Sequence, residues 1–179
     1  MKIVIGISGG IAVYKTASLV SYLSKENEVK VIMTKHATEF VTPLTFQTLS
    51  KQNVITDMFE QEENSSYVSH IHYAQNYDIM IIAPATANLI GKVANGIADD
   101  MLTSTIIACN KPIIFVPSMN TQMYENKIVQ KNITTLKELG YYFVEPDDGM
   151  LACGVSGKGK YPKINKIIEK YNDVIKEVY

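Results

Sequence analysis

Three short stretches place hydroxyl and amide side chains just after apolar runs: Thr34-Lys35-His36, Pro84-Ala85-Thr86-Ala87-Asn88 and Pro117-Ser118-Met119-Asn120. Thr86, Asn88, Ser118 and Asn120 carry groups that satisfy a phosphate or the edge of a heterocycle without using charge. Ser, Thr and Asn are also the favoured helix N-caps, so each residue read alone has a purely structural alternative. Three stretches with the same polar chemistry favour a shared ligand. A fourth stretch, Gly6-Ile7-Ser8-Gly9-Gly10-Ile11-Ala12, follows the first apolar run and opens a helix-like segment. Glycines let a backbone approach an anion, and a helix start offers unpaired N–H groups. Its spacing is neither G-x-G-x-x-G nor G-x-x-x-x-G-K-[ST], so a tight turn without a ligand stays open.

The nucleophile and acid–base candidates are few. His70 and His72 stand two apart in Val68-Ser69-His70-Ile71-His72-Tyr73, a spacing that points them in different directions on a helix and argues against a shared metal. His36 follows the second apolar run and lines the mouth of any site there. Cys109 sits in an apolar helical stretch and reads as a buried, inert thiol. Cys153 lies in Leu151-Ala152-Cys153-Gly154-Val155-Ser156-Gly157-Lys158-Gly159-Lys160, whose glycines describe a flexible loop rather than a packed element. A thiol on a mobile loop is what a proton-delivering lid would carry. No metal site is expected from these residues.

These groups need a scaffold, and the apolar runs supply one. Lys2–Ser8, Glu28–Thr34, Asp78–Pro84, Pro112–Pro117 and Tyr141–Val144 read as strands. Their near-continuous Val and Ile content suits strands buried on both faces of a parallel sheet. Between and after them, Ile11–Lys25, Ala87–Ala94, Met101–Cys109, Lys127–Leu139 and Asn165–Val178 read as helices, with Gly140 as a stop. The polar stretch 51–67 reads as a surface connection. This alternation predicts an α/β fold: one domain over residues 1–179 built on a doubly wound parallel sheet, a flavodoxin- or Rossmann-like three-layer sandwich. In such sheets ligands bind beyond the carboxyl ends of the strands, where the polar stretches fall.

Composition sets further limits. The 179 residues are 46% hydrophobic and 20% charged, with a net charge of −1, as for one globular domain. Near-neutral charge gives no support for nucleic-acid or anionic-membrane binding, and no apolar run is long enough to span a bilayer. No leader-like stretch precedes the first strand, so a cytoplasmic location is expected. All 17 basic residues are lysine. An anion bound here therefore meets backbone N–H groups, hydroxyls, amides and lysine, never a bidentate guanidinium fork.

Five segments together resemble the homo-oligomeric flavin-containing cysteine decarboxylase family: GISGGIAVYK (6–15), SHI (69–71), PATANLIGKVANGIADDMLT (84–103), PSMNTQMYEN (117–126) and ACGVSGKGK (152–160). They cover nearly the whole chain in the family's order, and the P-x-M-N-x-x-M and A-C-G motifs are specific. The resemblance implies a flavodoxin-like fold binding FMN at the subunit interfaces of a homotrimer, in some members assembled into a dodecamer. By the same resemblance Gly9, Gly10, Ile11, Thr34, His36, Thr86, Ala87, Asn88, Leu89 and Ser118 would meet the cofactor. His70, Asn120 and Cys153 would be catalytic, and Asn120 with Met123 would hold the substrate.

The implied reaction is decarboxylation of 4′-phospho-N-pantothenoylcysteine to 4′-phosphopantetheine and CO2 in coenzyme A biosynthesis. Direct loss of CO2 from an acylated cysteine would leave a carbanion without an electron sink. Prior two-electron oxidation of the CH2–SH unit conjugates that carbon to a thioaldehyde, and FMN is the group that does this. On this reading His70 handles charge during thiol oxidation, Asn120 fixes the carboxylate and Cys153 supplies the proton on the return. A separate phosphopantothenate–cysteine ligase would supply the substrate, since no synthetase-like segment is present in the 179 residues. The lysine that meets the substrate phosphate is left open, with Lys158 one candidate. Three departures from the family pattern are Thr86 for serine, Tyr124 for tryptophan, and Lys160-Tyr161-Pro162-Lys163 in place of an arginine-containing tail. The rival activities are a peptidyl-cysteine decarboxylase of lantibiotic maturation, against which Cys153 argues, and a non-catalytic flavin-binding regulatory subunit, whose long acidic tail is missing here. A flavin prenyltransferase shares the fold but not the P-x-M-N or His-Ile motifs.

Overall fold

The computed structural model describes residues 1–59, 68–152, 154 and 156–179. Its centre is a five-stranded parallel sheet of β1 (Lys2–Ile7), β2 (Glu28–Met33), β3 (Ile79–Ala85), β4 (Ile113–Pro117) and β5 (Tyr142–Phe143), in the order β2-β1-β3-β4-β5. All four pairings are parallel. Because side chains alternate across a strand, β1 sends Ile3, Ile5 and Ile7 to one core and Val4 to the other. The helices α1 (Val13–Leu23), α3 (Pro43–Ser50) and α9 (Ile164–Val178) close the first core with residues such as Leu19, Phe46 and Ile167. The helices α4 (Ser69–Asn76), α5 (Ala87–Ala94), α6 (Met101–Ala108) and α8 (Lys127–Glu138) close the second, through Tyr73, Leu89, Leu102 and Leu136 among others. The doubly wound three-layer sandwich expected from the Val/Ile runs is the observed fold.

The ladder does not stop at β2. Ile55 forms a parallel bridge with Ile32, its N–H bonding the Val31 carbonyl at 3.0 Å and its carbonyl accepting the Met33 amide at 2.8 Å. This short segment covers an edge that would otherwise offer unpaired groups. The two chain ends meet the amino-terminal rim of the sheet. Lys2 N–H donates to the Asp78 carboxylate at 2.7 Å, and the Tyr179 hydroxyl donates to the Asp78 carbonyl at 3.1 Å.

Two short helices, α2 (Lys35–Thr38) and α7 (Thr121–Glu125), begin at polar strand ends. The segment read as a flexible loop is in part a packed hairpin. Strand β7 (Ser156–Lys160) pairs antiparallel with β6 (Asp147–Met150). Its glycines serve close contact: a Cβ on Gly159 would stand 2.4 Å from the Met119 carbonyl oxygen, and Gly159 has φ +133°. The Met119 amide in turn donates to the Gly159 carbonyl at 3.0 Å, fastening the hairpin to the segment that carries Asn120.

Candidate functional site

In the order β2-β1-β3-β4-β5, the connections leave β1 and β3 in opposite directions, which opens a crevice beyond their carboxyl ends. A cavity of about 800 Å³ lies there, within the range of roughly 300–1,000 Å³ usual for small-molecule sites. Each neighbouring strand end delivers residues to it. After β1 come Gly9, Gly10 and Ile11; after β2, Thr34 and His36; after β3, Thr86, Ala87, Asn88 and Leu89; after β4, Ser118, Asn120 and Met123. These are all ten residues expected at the cofactor and both expected at the substrate.

The cap and ligand readings of the polar residues turn out to be compatible. Thr34 caps α2 by accepting the Ala37 amide, Thr86 caps α5 by accepting that of Leu89, and Asn120 caps α7 by accepting that of Gln122. Capping fixes each side chain and so fixes the helix start that faces the cavity. In α5 the Thr86 side chain and carbonyl engage the amides of Leu89 and Ile90. That leaves those of Ala87 and Asn88, on the cavity wall, outside the cap. Helix α1 has no side-chain cap at all. The amides of Val13 and Lys15 in its first turn are bonded to the carbonyls of Gly10 and Ala12, so what reaches the cavity there is the backbone of the preceding turn, Gly9 to Ala12, which together with the start of α5 suits an anion. Gly9 is required for it: a Cβ there would lie 2.4 Å from His36 Cβ and 2.7 Å from the His36 carbonyl carbon.

Several lining residues carry no signal in the sequence pattern. Ser8 is buried between the strand ends, its hydroxyl donating to the Pro84 carbonyl at 2.7 Å and accepting the Thr86 amide at 2.9 Å. Lys92 grips Asp99 through both carboxylate oxygens, at 2.8 and 2.9 Å, and stands 3.9 Å from Asp100. The hydrogen bond from Lys92 holds the Asp99 carboxyl below its ordinary range. Lys35, Met119, Leu151 and Ala152 complete much of the remaining wall. The seven-residue separation of Lys92 and Asp99 crosses the α5–α6 turn, so no helical spacing announces the pair.

Three other candidates lie elsewhere. His70 is half-buried on the first turn of α4 and does not line the cavity of this chain, while His72 on the same helix contacts Asn76. Cys153 lies outside the described residues, although Leu151 and Ala152 before it reach the cavity. Lys158 is not at the cavity either. Its ammonium pairs with Glu145 at 3.0 Å and lies over the Tyr124 ring. Burial pushes the Glu145 carboxyl up, but hydrogen bonds from Lys137, Lys158 and Tyr124 outweigh it and hold the group at about 2. Cys109 is half-buried, and desolvation raises its thiol, as befits an inert cysteine. Among the described residues no cluster of His, Cys, Asp and Glu is arranged to hold a metal.

The cavity's donor set fits a phosphorylated flavin. It offers backbone N–H groups of the glycine turn and of the α5 start, hydroxyls and amides for ring edges, and apolar Ile11, Leu89 and Met123 for a planar ring. Residues 1–176 match the family described as Flavoprotein. The chain belongs to the Flavoprotein family. It is 51% identical over 169 residues to the coenzyme A biosynthesis bifunctional protein CoaBC of Bacillus subtilis, covering 94% of this chain and 41% of that protein. It is 41% identical over 175 residues to a probable phosphopantothenoylcysteine decarboxylase of Streptococcus mutans, covering 96% and 97%. The chain therefore spans less than half the length of its bifunctional relatives and nearly all of the shorter one. Its fold is similar to that of a PPC decarboxylase mutant complexed with pantothenoylaminoethenethiol, with a TM-score of 0.86, 27% identity and 98% of each chain covered. As a flavoprotein, the chain has a flavin as its cofactor.

Proposed function

We propose that this flavoprotein decarboxylates 4′-phospho-N-pantothenoylcysteine to 4′-phosphopantetheine and CO2, with FMN as its flavin. The observation that carries this reading is the convergence of residues from four strand ends on one cavity, with backbone N–H groups of the glycine turn and of the α5 start for a phosphate. A phosphate-suited wall favours FMN over an unphosphorylated flavin. The nearly full-length likeness to the streptococcal relative supports the substrate.

The chain's own groups divide the work. Gly9, Gly10, Ile11, Ala87 and Asn88 present backbone to the cofactor phosphate, and Thr34, His36, Thr86, Leu89 and Ser118 flank the rest. Asn120, held by its cap on α7, orients the substrate carboxylate, and Met123 packs beside it. Cys153 returns a proton to the decarboxylated carbon. His70 carries charge at the thiol, and since it does not line the cavity of its own chain, it acts at the site of a neighbouring copy in a homotrimer, or in a dodecamer built from trimers. Bound FMN supplies two-electron oxidation of the substrate thiol end and its reversal. A separate phosphopantothenate–cysteine ligase makes the substrate, and a cytoplasmic location belongs to the same reading.

Mass spectrometry of products tests the proposal. Purified protein, checked for yellow flavin, is incubated with 4′-phosphopantothenoylcysteine. Loss of CO2 with full reduction to 4′-phosphopantetheine is expected, and Cys153→Ser should stall at a product two hydrogens lighter. Flavin without turnover would move the reading to a peptide substrate or a regulatory role, and absence of flavin would overturn the site.

A further inference from the structure

A phosphate monoester carries about two negative charges near neutral pH. Hydroxyls and peptide N–H groups can bind such a group but do not neutralise it, and this chain has no arginine to do so. Two lysines line the cavity, Lys35 and Lys92. Lys92 is already engaged by Asp99 and approached by Asp100, both of which also line the cavity. That part of the wall therefore has no cationic surplus.

Lys35 is different. It follows Thr34 at the end of β2 and precedes His36, the residue against which Gly9 is packed. This puts it on the side of the cavity formed by the backbone of the glycine turn, Gly9 to Ala12. Among the described residues Lys35 forms no ion pair, and the two cavity carboxylates belong to the Lys92 side. Local positive charge and local N–H donors thus coincide around one position.

We propose that Lys35 is the cation that recognises a phosphate monoester in this cavity. The inference rests on the function proposed above. Two phosphates have the required chemistry, that of the flavin and that of the substrate, and binding measurements separate them. Dissociation constants are measured for FMN against riboflavin, and for 4′-phosphopantetheine against pantetheine on the flavin-loaded protein. Wild type, Lys35→Gln and Lys35→Arg are compared. In Lys35→Gln the phosphorylated member of one pair should weaken about tenfold, as for loss of a charge-assisted hydrogen bond, while its unphosphorylated partner changes by less than about twofold. Lys35→Arg should retain the preference. Loss confined to FMN assigns the flavin phosphate; loss confined to phosphopantetheine assigns the substrate phosphate. An unchanged preference in Lys35→Gln overturns the assignment to Lys35. A wild-type protein with no preference in either pair overturns both this assignment and the proposed function.

Discussion

The hydroxyl of Ser8 at the end of β1 accepts the backbone amide of Thr86 at the end of β3, at 2.9 Å, and stands 3.1 Å from the Thr86 hydroxyl. The same hydroxyl donates to the Pro84 carbonyl. One buried side chain therefore ties the two strands that flank the crevice and sets where α5 begins. Substituting Ser8→Ala leaves the part-buried Thr86 amide without its acceptor and the Pro84 carbonyl with only the 3.3 Å bond from the amide of residue 8, at a cost of about 1–3 kcal/mol. Urea unfolding should report that loss, and fluorescence titration should show weaker flavin binding. Unchanged values in both would show that Ser8 does not set the crevice.

Gly159→Ala tests the attachment of the hairpin. The new Cβ would press on the backbone oxygen of Met119, which has no flexible side chain to move aside. A loss near the upper end of single-substitution effects, about 3 kcal/mol, is expected from thermal or urea unfolding. Activity should fall as well, because displacing Met119 displaces Asn120.

Acid should weaken the same region through Glu145. Its carboxyl sits at about 2 in the folded chain against an ordinary 4.5, so the unfolded chain binds more protons between these values. The stabilisation is fully present above about pH 4.5 and is lost as pH falls towards 2. With side-chain exposures of 45–46% for Glu145 and Lys137, screening limits the effect to below about 1 kcal/mol. Unfolding of Glu145→Gln across this window should lack the corresponding slope, and identical slopes would remove the assignment.

A shared site predicts complementation between inactive chains. His70→Asn and Asn120→Ala, each without turnover, are unfolded, mixed in equal amounts and refolded together. If His70 serves a neighbour's cavity, about one quarter of the sites regain both groups by random assembly. A mixture without activity would place His70 and Asn120 on the same chain's site.

Residue patterns make the sheet legible because its strands are buried on both faces. Ile79 to Ala83 leaves no polar alternation to mislead, and the α5 boundaries, Ala87 and Ala94, follow from Thr86 and the end of the apolar periodicity. The short helices are harder to find. A four-residue turn such as Lys35–Thr38 has no period to detect, although Pro43 at the first position of α3 is an available signal. The hairpin reads wrongly as a loop because glycine usually marks freedom, whereas Gly159 marks contact with a carbonyl. Among the lining residues after the strands, Thr86, Asn88, Ser118 and Asn120 are readable from polar type, whereas Ile11, Ala87, Leu89 and Met123 follow only from the family resemblance. The Lys92–Asp99 pairing is not, since only the turn between two helices brings those side chains together.

The contacts of Lys2 and Tyr179 with Asp78 place both chain ends at the amino-terminal rim, across the sheet from the crevice. A tether at either terminus would orient the molecule on a solid support with its cavity facing bulk liquid. Immobilised protein should therefore exchange small ligands without obstruction from the anchoring surface.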